Sequence, residues 1–170
     1  MPSLDYLNQA DRAAFTAALG HLFEHSPWVA EQGWLRRPFA SAEALHAALC
    51  AAMRAAPADK QRALIRAHPD LAGRLAQQKK LTAESTREQA SAGLDQLTDT
   101  ELAEFTRLND AYKVKFGFPF IICARLNAKA AILAAMSARL PHTPAVERDT
   151  ALAEIEKIAW LRLQDVLKRN

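Results

Sequence analysis

An all-α protein is what this sequence predicts, on three observations. Apolar residues recur at helical spacing through most of the chain. Two stretches read Ser/Thr-x-x-Glu, the pattern of a helix start. No β-branched alternating run is long enough for a strand, while five glycines and eight prolines punctuate the pattern. At 170 residues, 50% of them hydrophobic, the chain can build a substantial core without disulfides or metal. No repeat or linker is visible. The expectation is a single compact helical domain of about eight helices over residues 1–170.

Taken in order, a first helix is expected from about Gln9 to His25, with Phe15, Leu19, Leu22 and Phe23 inward. Ser26 is placed to cap a short second helix, with Pro27 at its first position and Gly33 near its end. A third follows Ser41, turns Leu45, Leu49, Met53 and Ala56 inward, and stops at Pro57. A fourth runs from about Asp59 into His68-Pro69, after which Pro69 to Leu81 reads as irregular or weakly helical. Ser85-Thr86-Arg87-Glu88 and Thr98-Asp99-Thr100-Glu101 both fit the reciprocal capping box. The first opens a short helix ending near Gly93. The second opens a long one with Leu102, Phe105, Tyr112 and Phe116 on one stripe, closed by Gly117 in the left-handed conformation. After Pro119 an apolar helix is expected through Ile122, Leu126, Leu133 and Met136 to Pro141. A last helix starts at Thr143-Pro144 and continues to about Leu167.

The net charge is +3 and the pI about 9.0. Basic pairs occur at Arg36-Arg37 and Lys79-Lys80, but the other cations are scattered among acids. A nucleic-acid binder concentrates its charge on one face or in one run, so weak basicity suits a small anionic substrate better. Cys50 and Cys123 sit in apolar runs and read as small core residues, not as a disulfide framework. The start Met1-Pro2-Ser3-Leu4-Asp5 lacks the regions of a signal peptide, and the end Lys168-Arg169-Asn170 is no peroxisomal address. No run of about 18 apolar residues is present to span a membrane. These features predict a cytoplasmic protein.

His68 precedes Pro69, and a residue before proline is pushed out of the helical region. The helix should therefore end at the imidazole, whose protonated form its last carbonyls favour, and Asp70 is near enough to orient the ring. A stiff histidine at a helix end suits acid–base work, although a plain capping role fits the same spacing. Glu88 is open to two readings. As the fourth residue of a capping box it is a cap; the same helix start would also offer free N–H groups to an anion. Arg162 shares the face of Ile155, Ala159 and Val166, an apolar stripe where an unpaired charge is costly. It must snorkel outward or find an anion. Asn109 lies on the stripe of Phe105, Tyr112 and Phe116, where a structural hydrogen bond is the simplest role. Phe116-Gly117-Phe118-Pro119-Phe120-Ile121-Ile122 is an apolar bend. It packs as a helix corner, or its free N–H groups after Pro119 grip the amide edge of a flat ligand. His21-Leu22-Phe23-Glu24-His25 matches H-x-x-E-H, with two histidines at i, i+4. No third zinc ligand is marked, so metal-dependent hydrolysis is the weaker alternative, as are a cofactor-free hydrolase and a basic helical binding module.

Together these segments resemble the 2-oxo-4-hydroxy-4-carboxy-5-ureidoimidazoline (OHCU) decarboxylases. The resemblance rests on Phe23-Glu24-His25-Ser26-Pro27-Trp28, His68-Pro69-Asp70-Leu71 and Ser85-x-x-Glu88-Gln89. It continues through Leu108-Asn109-x-x-Tyr112, Lys115-Phe116-Gly117-Phe118-Pro119-Phe120-Ile121 and Arg162-Leu163-x-Asp165. The pieces keep the family's order from about Leu4 to Leu167. The resemblance implies an all-helical fold, commonly a homodimer, that releases carbon dioxide from the ureidoimidazoline to give (S)-allantoin without cofactor or metal. By motif, His68 takes the acid–base role, Glu88 is the active-site carboxylate and Arg162 a substrate contact. Pro69, Ser85, Thr86, Arg87, Gln89 and the backbone of Phe120, Ile121, Ile122, Cys123 and Ala124 would line the site.

Overall fold

Six helices among the described residues begin on a side chain that takes over a backbone donor: Ser3, Asp11, Ser41, Thr82, Thr98 and Thr143 each accept from the N–H three residues on. In the computed structural model, which describes residues 2–73, 76 and 78–168, helix makes up 71% and no strand occurs among the described residues. None of the described helices is long and apolar enough to cross a membrane. The chain divides into two compact units, one of Met1–Ala67 with Glu156–Asn170 and one of His68–Ile155.

The first unit holds α1 (Leu4–Gln9), α2 (Arg12–Leu19), α3 (Trp28–Gly33), α4 (Ala42–Ala55) and α5 (Ala58–Ala67). It also takes the C-terminal part of a long last helix, Pro144–Lys168. Leu7, Phe15, Leu19, Phe23, Leu45, Leu49, Met53 and Leu64 are among its fully buried side chains. Gly33 lets α3 lie close on α4, since a Cβ there would fall 2.5 Å from Leu49 Cδ2. Trp28, Trp34 and Trp160 all belong to this unit, beneath Lys60, bonded to the Ala10 carbonyl and beside His46 respectively. The Cys50 thiol is half-buried 3.3 Å from His46 Nε2; burial first, then the Glu156 charge, pushes it up to about 12.

Several expected elements change here. The helix expected from Gln9 to His25 is interrupted twice. Asp11 starts α2 afresh, and beyond Leu19 the chain tightens into a 3-10 turn at Gly20–Leu22. Gly20 lies where a Cβ would come 3.2 Å from Pro27 Cβ, so the chain doubles back there, with Phe23 extended and His25 left-handed at φ 47°. Ser26 does not cap α3: its hydroxyl donates to the Glu24 carbonyl, and Pro27 occupies the cap position. On α4, Ala52 is buried in place of Ala56, which is the C-cap.

The second unit holds α6 (Ala83–Ser91), α7 (Asp99–Phe116), a 3-10 turn at Ala124–Leu126, α8 (Lys129–Arg139) and the first part of α9 (Pro144–Lys168). The Thr98–Glu101 capping box forms with both bonds present, and Gly117 closes α7 at φ 73°. Tyr112, Phe116, Phe118 and Phe120 pack ring on ring, with centroids 4.5 to 6.0 Å apart. Two expectations fail. The helix of Ser85 begins earlier, capped by Thr82, so Ser85 and Glu88 form no capping box. Residues 119–123 are not helical. Pro119 has no N–H to give, and side chains from α8 and α9 take over the backbone groups that a helix would have used. Leu126 is consequently 60% exposed, and Ile132, not Leu133, joins Met136 on the buried face of α8. In the stretch from Pro69 to Leu81, residues 71 and 72 form a turn, and Arg74, Leu75 and Gln77 lie outside the described residues.

Candidate active site

α5 stops at Ala67, as the His68-Pro69 pair requires, and His68 is buried at the start of a turn. That turn ends on Ala72 at φ 51°, a left-handed conformation that costs a non-glycine residue about 1–2 kcal/mol. Side chains hold it there. Gln89 of α6 accepts from the Ala72 N–H at 2.9 Å through Oε1 and donates to the Asp70 carbonyl at 3.3 Å through Nε2. Asn109 of α7 donates to the Leu71 carbonyl at 2.9 Å, and Lys113, one helical turn on, binds the Asp70 carboxylate at 2.6 Å. The structural bond expected of Asn109 is thus present, while its Oδ1 is buried with no partner among the described residues.

α6 packs on the Ala124–Leu126 turn. Ser85 and Gln89 are buried and Glu88 half-buried, whereas Thr86 and Arg87 are exposed and Arg87 lies 3.6 Å from Glu84. The free N–H groups expected at Ser85 are not there: Ser85 N–H donates to Thr82 Oγ1 and Thr86 N–H to the Thr82 carbonyl. Across from α6 runs the buried segment Phe120–Ala124. Glu154 Oε2 accepts from the Cys123 N–H at 2.9 Å and Arg139 Nη1 donates to the Ile121 carbonyl at 2.7 Å. The N–H groups of Phe120, Ile121 and Ile122 make no hydrogen bond among the described residues. Burial, with the charges of Glu154 and Glu88, pushes the Cys123 thiol up.

The sequence reading missed a cluster behind that segment. Glu147, fully buried, receives Arg139 through Nε at 3.0 Å and Nη2 at 2.8 Å, the Tyr112 hydroxyl, and His142 Nδ1 at 2.9 Å. Burial alone would raise the Glu147 carboxyl, but these bonds outweigh it and hold it below the usual range; the Tyr112 phenol is pushed up by burial and by that carboxylate. A signal was available. Ile132, Met136 and Arg139 share one face of α8 at i, i+4, i+7, the spacing that singled out Arg162.

His68, Pro69, the Ser85–Gln89 helix and Phe120–Ala124 all belong to the second unit, tied through Gln89 and the α6 packing. Arg162 belongs to the first unit. Its stripe is buried as expected, and the anion it finds is Glu24, 3.0 Å from Nη1 and itself buried, with the His21 and Leu22 carbonyls at 3.3 and 3.4 Å. His21 and His25 are exposed, and the broken chain between them removes the helical i, i+4 geometry that a zinc reading needs. Among the described residues no group of three His, Cys, Asp or Glu could hold a metal ion.

Fold and site define an all-helical protein in which a buried histidine leads into a turn held by Gln89, Asn109 and Lys113. A family model described as OHCU decarboxylase matches residues 8–164, and the chain belongs to that family. It is 43% identical over 164 residues to the 2-oxo-4-hydroxy-4-carboxy-5-ureidoimidazoline decarboxylase of Halalkalicoccus jeotgali, covering 96% of this chain and 91% of that protein. It is 41% identical to part of the uric acid degradation bifunctional protein PucL of Bacillus subtilis, covering 98% of this chain and 33% of that one. A crystal structure of OHCU decarboxylase in the presence of (S)-allantoin superposes with a TM-score of 0.69 at 26% identity, covering 94% of this chain and 99% of that one.

Proposed function

We propose that this protein decarboxylates 2-oxo-4-hydroxy-4-carboxy-5-ureidoimidazoline to (S)-allantoin and carbon dioxide, a step of urate degradation. The substrate carries its own electron sink. As the bond to the carboxylate breaks, the electron pair moves into the adjacent C=N, so no cofactor has to accept it. The resulting anion takes up one proton overall, and delivery of a proton to one face of the neighbouring carbon makes the product a single enantiomer. In this reading His68 moves that proton and Glu88 is the second acid–base group. Pro69, Ser85–Gln89 and the Phe120–Ala124 backbone line the site. A positioned histidine contributes about 10²–10⁴-fold in such a step.

The observation that carries this reading is the two-ended grip of Gln89 on Asp70 and Ala72, which joins the His68 turn to the Glu88 helix. The deciding experiment follows (S)-allantoin by circular dichroism from freshly oxidised urate, with and without the protein. Racemic product in both samples, with no dichroism beyond that of the protein-free control, ends the proposal.

The reading includes one domain over residues 1–170, supported by a family model that runs through 8–164. A cytoplasmic homodimer is part of it too, the dimer resting on the resemblance and the compartment on composition. Arg162 stays in it as a substrate contact on the strength of the Arg162-Leu163-x-Asp165 motif. Its pairing with Glu24 adds an expectation: Arg162→Ala breaks a buried ion pair and should lower stability by ~3–5 kcal/mol, measured by urea denaturation. A substrate role adds weaker binding of (S)-allantoin by the folded variant.

A further inference from the structure

We propose that Arg139, locked by Glu147, is a positioning residue that aims the Phe120 and Ile122 amides at the substrate; the inference rests on the decarboxylase reading. The protein holds this segment at residues two apart, through the Ile121 carbonyl and the Cys123 N–H. In extended chain, amides of alternate residues point the same way and those between point oppositely. Residues 119–123 are not helical and Cys123 is extended at φ -71° and ψ 94°, so Arg139 and Glu154 take one edge of the segment. The other edge carries Phe120 and Ile122 N–H groups that meet no acceptor among the described residues. Such an edge suits a ring that displays amide oxygens.

The aim of that edge depends on Arg139. Its guanidinium is a rigid planar fork, and with Nε and Nη2 on Glu147, Nη1 has one direction left, toward Ile121. The same guanidinium lies over the Phe120 ring at 4.2 Å, while Tyr112, also on Glu147, meets Phe120 edge-on at 5.4 Å. One carboxylate thus fixes both the backbone and the ring of the residues that face the ligand. A corner that only had to pack would do as well with apolar side chains, because burying an ion pair is costly.

The test compares variants in steady-state turnover and in (S)-allantoin binding. Arg139→Lys keeps the charge but not the fork. Its KM and its Kd for (S)-allantoin should rise about tenfold or more while kcat stays within about threefold, since grip is lost and proton transfer is not. Glu154→Leu removes the second anchor and should act in the same direction, whereas Glu154→Gln, which still offers an oxygen to Cys123, should restore KM. The Glu154 pair decides the matter even where Arg139→Lys does not fold. Lowered melting temperatures with KM and Kd at wild-type values in an active protein overturn this inference alone. A wild type that neither turns over the ureidoimidazoline nor binds (S)-allantoin overturns the decarboxylase reading, and this one with it.

Discussion

Helices α6 and α7 start within a few turns of each other in sequence, and each sets a hydroxyl residue three places ahead of a glutamate. At α7 the pattern closes on itself: Thr98 Oγ1 accepts from Glu101 N–H at 3.2 Å and Glu101 Oε2 accepts from Thr98 N–H at 2.9 Å. At α6 the donor that Glu88 would need is irrelevant, because Thr82 has already begun the helix and Ser85 sits in its first turn. At α7 the cap occupies its glutamate; at α6 the cap lies three residues upstream, and the glutamate to which the proposed function gives acid–base work belongs to the helix body.

This contrast can be broken experimentally. His68→Asn sets the scale: turnover should fall about 100-fold or more with fold and (S)-allantoin affinity kept, measured by circular dichroism of product formation. Normal decarboxylation with racemic product would confine His68 to the protonation step, and a wild-type rate would reduce it to a cap. Glu88→Gln should also cost about 100-fold in turnover, while Glu101→Gln leaves turnover untouched. Equal turnover in the two glutamine variants erases the distinction. Smaller effects separate the caps themselves. Thr82→Ala should lose about 1 kcal/mol in urea denaturation, the usual worth of an N-cap.

The smallest effect is on pH dependence. The Thr98 N–H, with help from Lys129, holds the Glu101 carboxyl below its usual range. A depressed carboxyl stabilises the fold above its unfolded value, and that contribution disappears as pH falls through the folded one. The melting difference between wild type and Glu101→Gln should therefore be constant near neutrality and shrink below about pH 4. A difference that is flat through the acid range would show that Glu101 contributes nothing as an anion.

What could be read from sequence followed how local its cause was. The Thr98 box, the Gly117 stop and the break at His68-Pro69 each depend on a few adjacent residues, and each is in place. The Arg162 stripe left two outcomes open, an outward snorkel or an anion, and the anion it meets, Glu24, lies 138 positions away where nothing local names it. The helix expected after Pro119 failed for a similar reason. An apolar run looks alike whether it bonds to itself or lends its backbone to Arg139 and Glu154, and periodicity cannot tell the two apart. In the candidate site, His68 and Glu88 were legible as residues. The grip of Gln89 on the His68 turn was not, because it spans 17 and 19 positions and involves backbone groups that carry no sequence signal.

All three tryptophans lie in the unit of Met1–Ala67 with Glu156–Asn170, whereas Tyr112 and its phenylalanine neighbours lie in the unit of His68. The chain is therefore optically partitioned. Indole emission watches one unit, and the far-ultraviolet dichroism of the helices watches both. Denaturation followed in both signals needs no added label to ask whether the halves melt together, and coincident transitions would mark a single cooperative step.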